Sequence, residues 1–468
     1  MRVFVRSAVL LCTLLLSPFA QAQVNKETRD TSVPQNVRGS VTQGNPTPET
    51  IPLSISDAID RALKFNLGAL IAQQETREAT ADRLRALSDL LPKISVTAGD
   101  TVEQIDLAAF GFTGFPGINT IVGPFNVFDA RAHYSQPALD LRLKHDLHSQ
   151  SEKVTAAGLA QQDVRELVVL VATDLYLEAV GSASRVEAVQ AQLKTAQAVY
   201  DRAVNLKDSG VIPAIDLLRA QVQLREQQQR LLAAQNDLAK EKLNLARAIG
   251  LPQGQSFTQS DTFLTTTAAI PPLDQALSSA LDSRPDYRRA AALVRAADET
   301  LKSANARKLP SVGFYADYGD IGERPTASHG TMTVQGTLFV PIYTGGRTQA
   351  EILDSRAKLD ERKAEEGNLR GRIEYELRTA DLDIRTAAAQ VQVAGQARDL
   401  AQQQLAQAQD RFSAGVANGL EVTQAQESVA TADENYISSL FNLNVAEASL
   451  ARAMGTAEKS IKSFFGGK

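Results

Sequence analysis

The chain has 468 residues, of which 22% are charged, and a formal net charge of -5 with a pI near 5.6. This balance offers no basic surface for DNA or RNA, so nucleic-acid binding is excluded as a function. With no tryptophan, 5% aromatic residues and long tracts rich in Ala, Gln, Leu, Glu and Arg, the composition favours long helices packed through small residues.

Residues 1–22 are predicted to be a secretory signal peptide. Two arginines precede an apolar run at 8–16, and Ala-Gln-Ala at 20–22 offers a cleavage site. The run is shorter than the roughly 20 apolar residues that span a bilayer, and no later run is expected to form a transmembrane helix. Because the only cysteine, Cys12, lies in this segment, the exported chain is expected to have neither disulfides nor cysteine ligands. Residues 23–50, polar and containing three prolines, are predicted to be a disordered leader.

The remainder of the chain contains an internal repeat. Residues 56–63 realign on 274–281 (274 − 56 = 218), and the turn segment 209–211 realigns on 414–416 (414 − 209 = 205). The two shifts differ by 13 residues, which we assign to a shorter loop in the second copy. We therefore predict a first repeat at 51–252, a linker at 253–272, a second repeat at 273–456 and a C-terminal tail at 457–468.

Each repeat is predicted to hold a helix, two strands, a very long helix, a glycine turn and a return helix. The predicted helices are about 67–90, 139–206 and 214–249 in the first repeat, and about 286–308, 343–412 and 420–453 in the second. Their apolar residues follow the alternating three- and four-residue spacing that is typical of coiled coils. At 1.5 Å per residue, a helix of roughly 68 residues is about 100 Å long. Because each return helix is about half as long, the helix before the strands is expected to cover the rest of the long helix of its own repeat.

Four segments alternate apolar and polar residues, as strands with one apolar and one polar face do. The predicted strands are 93–104, 126–137, 310–320 and 330–341. The glycine-rich segment 107–124 between the first two is predicted to be a mobile loop and not a phosphate site. The strands form either a small sheet over a helical core or a sheet that crosses a membrane, since about 9 to 12 tilted residues suffice. The second interpretation requires strands from other chains, because a lipid-exposed sheet cannot have free edges.

The chain resembles the TolC-like outer-membrane efflux proteins over nearly all of its mature length. The residues that carry the resemblance are the strand starts at Pro92 and Pro310, the passage FVPIYTGG at 339–346, and the helix turns at 209–220 and 414–425. The resemblance implies a mostly α fold with a small transmembrane β part. It implies a homotrimer, in contact with outer-membrane lipid, in which each chain gives four strands to one 12-stranded β-barrel. A long coiled-coil tunnel continues this barrel into the periplasm.

The resemblance also implies a function and partners. The chain would be the outer-membrane channel of a tripartite efflux or type I secretion system, working with a periplasmic adaptor and an inner-membrane pump, and not an enzyme. The cargo and the class of pump are left open. The adaptor would dock at the periplasmic helix turns, which contain Gly210, Val211, Gly415 and Val416.

Asp216 and Glu421 occupy equivalent positions near the starts of the two return helices (421 − 216 = 205). A carboxylate there stabilises a helix by about 0.3 to 1 kcal/mol, which is one explanation for both. In a trimer, six such carboxylates would converge, and we expect an acidic constriction that favours cations at the tunnel end. The arginine that closes the best-known members is not carried over, because Ala417 and Asn418 occupy its neighbourhood and Phe412 stands where a tyrosine is expected.

No catalytic residues and no cofactor are expected. The sequence has no His-Glu-x-x-His motif, nucleophile elbow or phosphate loop. His145 and His148 are three residues apart on a predicted helix, but without a third ligand nearby in the sequence no metal site is predicted. The main alternative function is a periplasmic coiled-coil adaptor or structural protein, which would be soluble.

Overall fold

A computed structural model describes residues 35–112, 119–265 and 271–465, so the signal peptide at 1–22 and the first part of the leader lie outside it. Its elements in chain order are β1 (Ile51–Leu53), α1 (Ile55–Phe65), α2 (Leu67–Ser88), β2 (Lys93–Asp106), β3 (Ile121–Leu139), α3 (Leu141–Asp208), α4 (Ala214–Ile249), β4 (Phe257–Gln259), α5 (Leu273–Ser283), α6 (Pro285–Ala306), β5 (Ser311–Gly322), β6 (Ser328–Phe339), α7 (Arg347–Ser413), α8 (Gly419–Ala453) and α9 (Ala457–Phe465). The chain is mostly helical, as expected. An order of two helices, two strands, a long helix and a return helix occurs twice.

The long helices α3 and α7 contain 68 and 67 residues and are delimited by local signals. The side chain of Asp140 caps α3 by accepting a hydrogen bond from the backbone N–H of Leu143 at 3.2 Å. Pro213 precedes α4, and Gly250, with φ of 73°, follows it. Proline before a helix and glycine after it explain why the predicted bounds of α4, 214–249, are the observed ones.

The helices pack around α3. It contacts α2 and α6 in the half nearer the sheet and α4 and α8 in the other half. α6 contacts α7, the long helix of its own repeat, as expected, but it also lies against α3, and its contact with α3 is the larger. Ala292 and Ala296 are buried and allow the backbones to approach closely, so Ser149 Oγ donates to the carbonyl of Ala296 at 3.0 Å. Apolar periodicity indicates a buried face but not the helix that covers it.

β2, β3, β5 and β6 form one antiparallel sheet in the order β2-β3-β5-β6. Directly paired residues share a face, and two rows of them cross all four strands on the apolar face. These rows are Ile94, Tyr134, Ala316 and Val334, and Val96, Ala132, Tyr318 and Met332. Within the described part of the chain, β2 and β6 each pair with one strand only, so the sheet has two open edges.

Several segments predicted as irregular are ordered elements. β3 begins at Ile121 because its pairing with β2 continues beyond residue 126, so the end of the predicted loop 107–124 is strand. Residues 113–118 of that loop lie outside the described residues. The predicted linker 253–272 contains β4, which pairs in parallel with β1, and the tail contains α9, whose Ile461 is fully buried. Residues 266–270 and 466–468 also fall outside the description.

The prediction of a disordered leader is wrong for residues 35–50. Val37 is buried, and its carbonyl accepts a hydrogen bond from Asn66 Nδ2 at 2.5 Å. Val41 N donates to the carbonyl of Phe65 at 2.9 Å, at the end of α1. A helix end offers carbonyl groups without intrahelical partners, so a polar segment without a core of its own can be held there through its backbone.

α3 is long enough to cross a membrane, and an 18-residue window within it is also apolar enough, with a mean hydropathy of 1.5. The window does not contradict the expectation that no later run forms a transmembrane helix. Of that window, 61% is buried inside the protein. A buried core helix of a bundle can be as long and as apolar, so the window does not by itself indicate a membrane span.

Candidate functional site

The two turns between long and return helices have the same local structure. Gly210 and Gly415 adopt φ of 72° and 74°, in the left-handed region that favours glycine. The next N–H bonds back to the carbonyl five residues earlier, at 2.8 Å for Val211 and 3.0 Å for Val416. A side chain on Gly415 would begin 3.3 Å from Val211 Cγ1, so the turns adjoin. The four turn residues singled out from the sequence therefore lie together, with both valine side chains exposed.

The two carboxylates near these turns have different surroundings. Asp216 has a side chain only 7% exposed, and its Oδ1 accepts from Arg219 Nη1 at 3.0 Å. It packs against the backbone at Gly419, where an added side chain would begin 3.5 Å from Oδ1. Glu421 has a side chain 43% exposed and lies 3.0 Å from Arg411 Nε. Both carboxylates thus have an arginine partner in the same chain, which their spacing in the sequence did not indicate.

An apolar cluster beside the turns joins all four helices of the two hairpins. Its buried residues are Ala203, Leu206, Ala220, Ala408, Phe412, Val422 and Ala425. Phe412, where the resemblance leads us to expect a tyrosine, is a core residue here, 2% exposed. A hydroxyl is not available at this position, so this residue contributes packing and no hydrogen bond.

A polar layer follows farther from the turns. Glu427 Oε1 accepts from Arg230 at 2.9 Å and from Gln223 at 3.1 Å, which joins α4 to α8. Asp433 accepts from Arg398 at 2.9 Å and from Gln192 at 3.2 Å, which joins α8 to α7 and α3. A cavity of about 480 Å³ lies in this layer. Two of its buried lining atoms, Gln227 Oε1 and Gln426 Nε2, have no hydrogen-bond partner among the described residues.

The polar face of the sheet carries paired charges. Arg131 Nε donates to Asp129 at 2.7 Å, and its Nη1 donates to Asp317 at 3.0 Å on the neighbouring strand. Beside them, His133 Nδ1 lies 2.8 Å from the hydroxyl of Tyr315. The charged residues that the alternation assigned to the polar face are therefore on one face, opposite the two apolar rows.

A buried arginine joins α6 to α7 and to the end of α8. Arg284 is 2% exposed and donates to Asp286 Oδ2 and Glu376 Oε2, both at 2.6 Å, and to the carbonyl of Ala453 at 3.2 Å. Burial opposes the charge of Arg284, but its two carboxylate partners outweigh this and raise its pKa above the usual value. Burial likewise opposes ionisation of Asp286, yet Arg284 holds the pKa of this carboxyl below its usual range.

The two histidines singled out from the sequence do have a third potential ligand. Glu299 of α6 places Oε2 2.8 Å from His145 Nδ1 and 3.7 Å from His148 Nδ1. Burial opposes ionisation of Glu299, but bonds from Lys302 and His145 keep its pKa below the usual range. Sequence reasoning missed Glu299 because it is 154 residues from His145.

The profile of a family described as outer membrane efflux protein matches residues 58–251 and 276–456. The chain is 22% identical over 417 residues to the antibiotic efflux pump outer membrane protein ArpC of Pseudomonas putida, covering 84% of this chain and 79% of that protein. The toluene efflux pump outer membrane protein TtgC, also of Pseudomonas putida, matches with the same identity and coverage. Among solved structures, the CmeC outer membrane channel of Campylobacter jejuni superimposes with a TM-score of 0.74 at 16% identity, covering 90% of this chain and 92% of that chain.

Proposed function

Because the chain belongs to the outer membrane efflux protein family, we propose that three copies of it form one channel, to whose barrel each gives the four strands of its sheet (3 × 4 = 12). The protein is an outer-membrane efflux channel and not an enzyme. The paired long helices of the three copies continue the pore as a tunnel in the periplasm. A periplasmic adaptor joins this tunnel to an inner-membrane pump, which supplies the energy, and solutes leave the cell unchanged.

The sheet is the observation that carries this proposal. Its two apolar rows run from β2 to β6 without a polar interruption, and their large side chains are exposed except for the half-buried Tyr134. Lipid can cover such a face, but it cannot satisfy the unpaired backbone groups of an open edge. Joining β6 of one copy to β2 of the next satisfies both edges. The charged face, with Arg131 at its centre, would then line the water-filled side.

The repeated order of elements supports an origin by duplication. The family profile matches the chain in two stretches that correspond to these two halves. Each half supplies two neighbouring strands and one helical hairpin. Three copies would therefore place six similar hairpins around the tunnel.

The helix turns are the proposed docking surface for the adaptor. Val211 and Val416 expose apolar side chains beside glycines that keep the turns narrow, and a small apolar surface at a protruding end suits a protein partner. Close by, Asp216 and Glu421 form the proposed acidic constriction. Their partners Arg219 and Arg411 reduce the local negative charge, so we expect moderate and not strict selectivity for cations.

Cross-linking tests the trimer. The mature chain has no cysteine if the signal peptide is removed, so a variant with Thr97→Cys on β2 and Thr333→Cys on β6 carries only these two thiols. A short bis-maleimide added to outer membranes should yield covalent dimers and trimers and no larger species. Each single-cysteine variant is the control. It should stay monomeric on denaturing gels, because β2 of one copy adjoins β6 of the next, so a cysteine on only one of these strands has no second cysteine beside it.

A chain that remains monomeric and dissolved without detergent would contradict the channel proposal. It would favour the alternative of a periplasmic adaptor or structural protein. Fractionation of untreated cells distinguishes these two functions, since a channel must sediment with outer membranes and require detergent for extraction.

A further inference from the structure

A group of three metal-binding side chains lies next to the sheet, apart from the surfaces assigned to the channel. His145 and His148 are on the first turns of α3, soon after β3 ends, and Glu299 is on α6, before β5 begins. One ligand atom from each lies within 4.8 Å of the others. Since α3 belongs to the first half of the chain and α6 to the second, the group connects the two halves.

The distances suit a small divalent cation. Zinc bound at 2.0 to 2.2 Å by nitrogen and oxygen in a tetrahedron separates its ligand atoms by about 3.3 Å. The two histidine nitrogens lie 2.8 and 3.7 Å from the same oxygen of Glu299, on either side of this value. A displacement of the ligand atoms by about half an ångström would bring both distances to this value.

The surroundings of Glu299 also suit a ligand. Lys302 Nζ donates to the other carboxylate oxygen, Oε1, at 2.7 Å, and so directs Oε2 toward the histidines. Hydrogen bonds of this kind orient metal ligands in many sites. His148 has a side chain 53% exposed, so the group is open to solvent on one side and water can complete the coordination.

We propose that His145, His148 and Glu299 bind one Zn²⁺ per chain and that this ion cross-links α3 to α6 beneath the sheet. Imidazole and carboxylate ligands match a borderline cation such as Zn²⁺. The ion takes the place of the proton between His145 Nδ1 and Glu299 Oε2 and bonds to both atoms, and the neutral imidazole of His145 then carries its proton on Nε2. The proposal does not depend on the transported solute.

Calorimetric titration with zinc chloride tests the site. The full-length mature protein, solubilised in detergent, freed of metal by a chelator and carrying no polyhistidine tag, should bind one Zn²⁺ per chain. His148→Ala and Glu299→Gln should each weaken binding by at least about tenfold. His329→Ala is the matched control, because His329 is exposed on β6 away from the group, and it should leave the affinity unchanged.

Two further readouts separate a built site from nonspecific binding. Co²⁺ in place of Zn²⁺ should give the intense visible absorption of tetrahedral coordination, and His148→Ala should abolish it. Zinc should also raise the apparent melting temperature of the wild-type protein but not of His148→Ala. Absence of stoichiometric binding, equal affinity in the ligand variants, or no thermal shift on binding would overturn the proposed cross-link.

Discussion

Exposure distinguishes the two carboxylates at the helix turns. Asp216 is buried between the hairpins, and removal of its charge breaks its ion pair with Arg219. Glu421 pairs with Arg411 at the surface, where an ion pair contributes only about 0 to 1 kcal/mol and leaves the charge open to solvent. Of the two, Glu421 is the charge that a passing ion would meet.

Glu421→Gln should therefore reduce the cation selectivity of the channel more than Asp216→Asn, and the double variant should be the least selective. The reversal potential in planar bilayers under a potassium chloride gradient measures this selectivity. Asp237→Asn is the control, because Asp237 is an exposed carboxylate farther along α4. The same reversal potential in the wild type, both single variants and the double variant would contradict the proposed acidic constriction.

Arg284→Met should destabilise the junction of α6, α7 and α8. The methionine has a similar length, but it leaves Asp286 as a buried carboxylate without its cation, and loss of one partner of a buried pair costs about 3 to 5 kcal/mol. Thermal unfolding followed by helical circular dichroism should show a clear fall in melting temperature. Arg295→Met, which removes an exposed arginine paired with Glu152, should change it little. Similar melting temperatures for both variants would contradict the assigned role.

At the scale of elements, local signals explain which helices could be predicted. Capping residues lie within a few positions of the ends they determine, so Pro213 and Gly250 mark α4 in the sequence itself. The placement of α6 against α3 depends on residues such as Ser149 and Ala296 that are far apart in the chain. Glu299 completes the histidine group for the same reason, and no spacing rule connects residues across two helices.

The turns are the elements for which docking can be tested. Val211→Asp with Val416→Asp should greatly weaken co-purification of the adaptor while the trimer persists, because charge replaces the exposed apolar surface without disturbing the glycines. Leu353→Asp is the control, because Leu353 is exposed on α7 far from the turns. Retention of the adaptor by the double variant would refute docking at this surface.

At the scale of the whole molecule, the alternation of residues predicts that the sheet has two unlike faces, but not its order or edges. Alternation places Arg131 and Asp317 on the polar faces of their own strands, but their contact at 3.0 Å depends on the pairing of β3 with β5, which belong to different halves. β3 also begins before residue 126, where the predicted strand started, because these earlier residues pair with β2. Local propensity does not account for them. Strand type is a local property, whereas register and order depend on the partner strand.

Met332→Lys and Thr333→Lys test the two faces by a matched pair of neighbouring changes. Met332 belongs to an apolar row, where a lysine facing lipid costs about 2 to 4 kcal/mol at mid-membrane. Thr333 lies on the polar face opposite Asp317, so its lysine meets water and a carboxylate. The amount of trimer in outer membranes should fall for the first variant only. An equal loss in both variants would contradict the assignment of lipid and water to the faces.

The strand order has a consequence for assembly. β2 and β6 run in opposite directions, so an antiparallel ladder that continues around a ring must join unlike edges of copies that all face the same way. Such head-to-tail contacts generate a ring with rotational symmetry, and two chains joined at a single contact still have one open β2 edge and one open β6 edge. A copy damaged at one edge keeps the other intact, so it can enter a ring and prevent its closure. One defective allele would then disable normal copies made in the same cell.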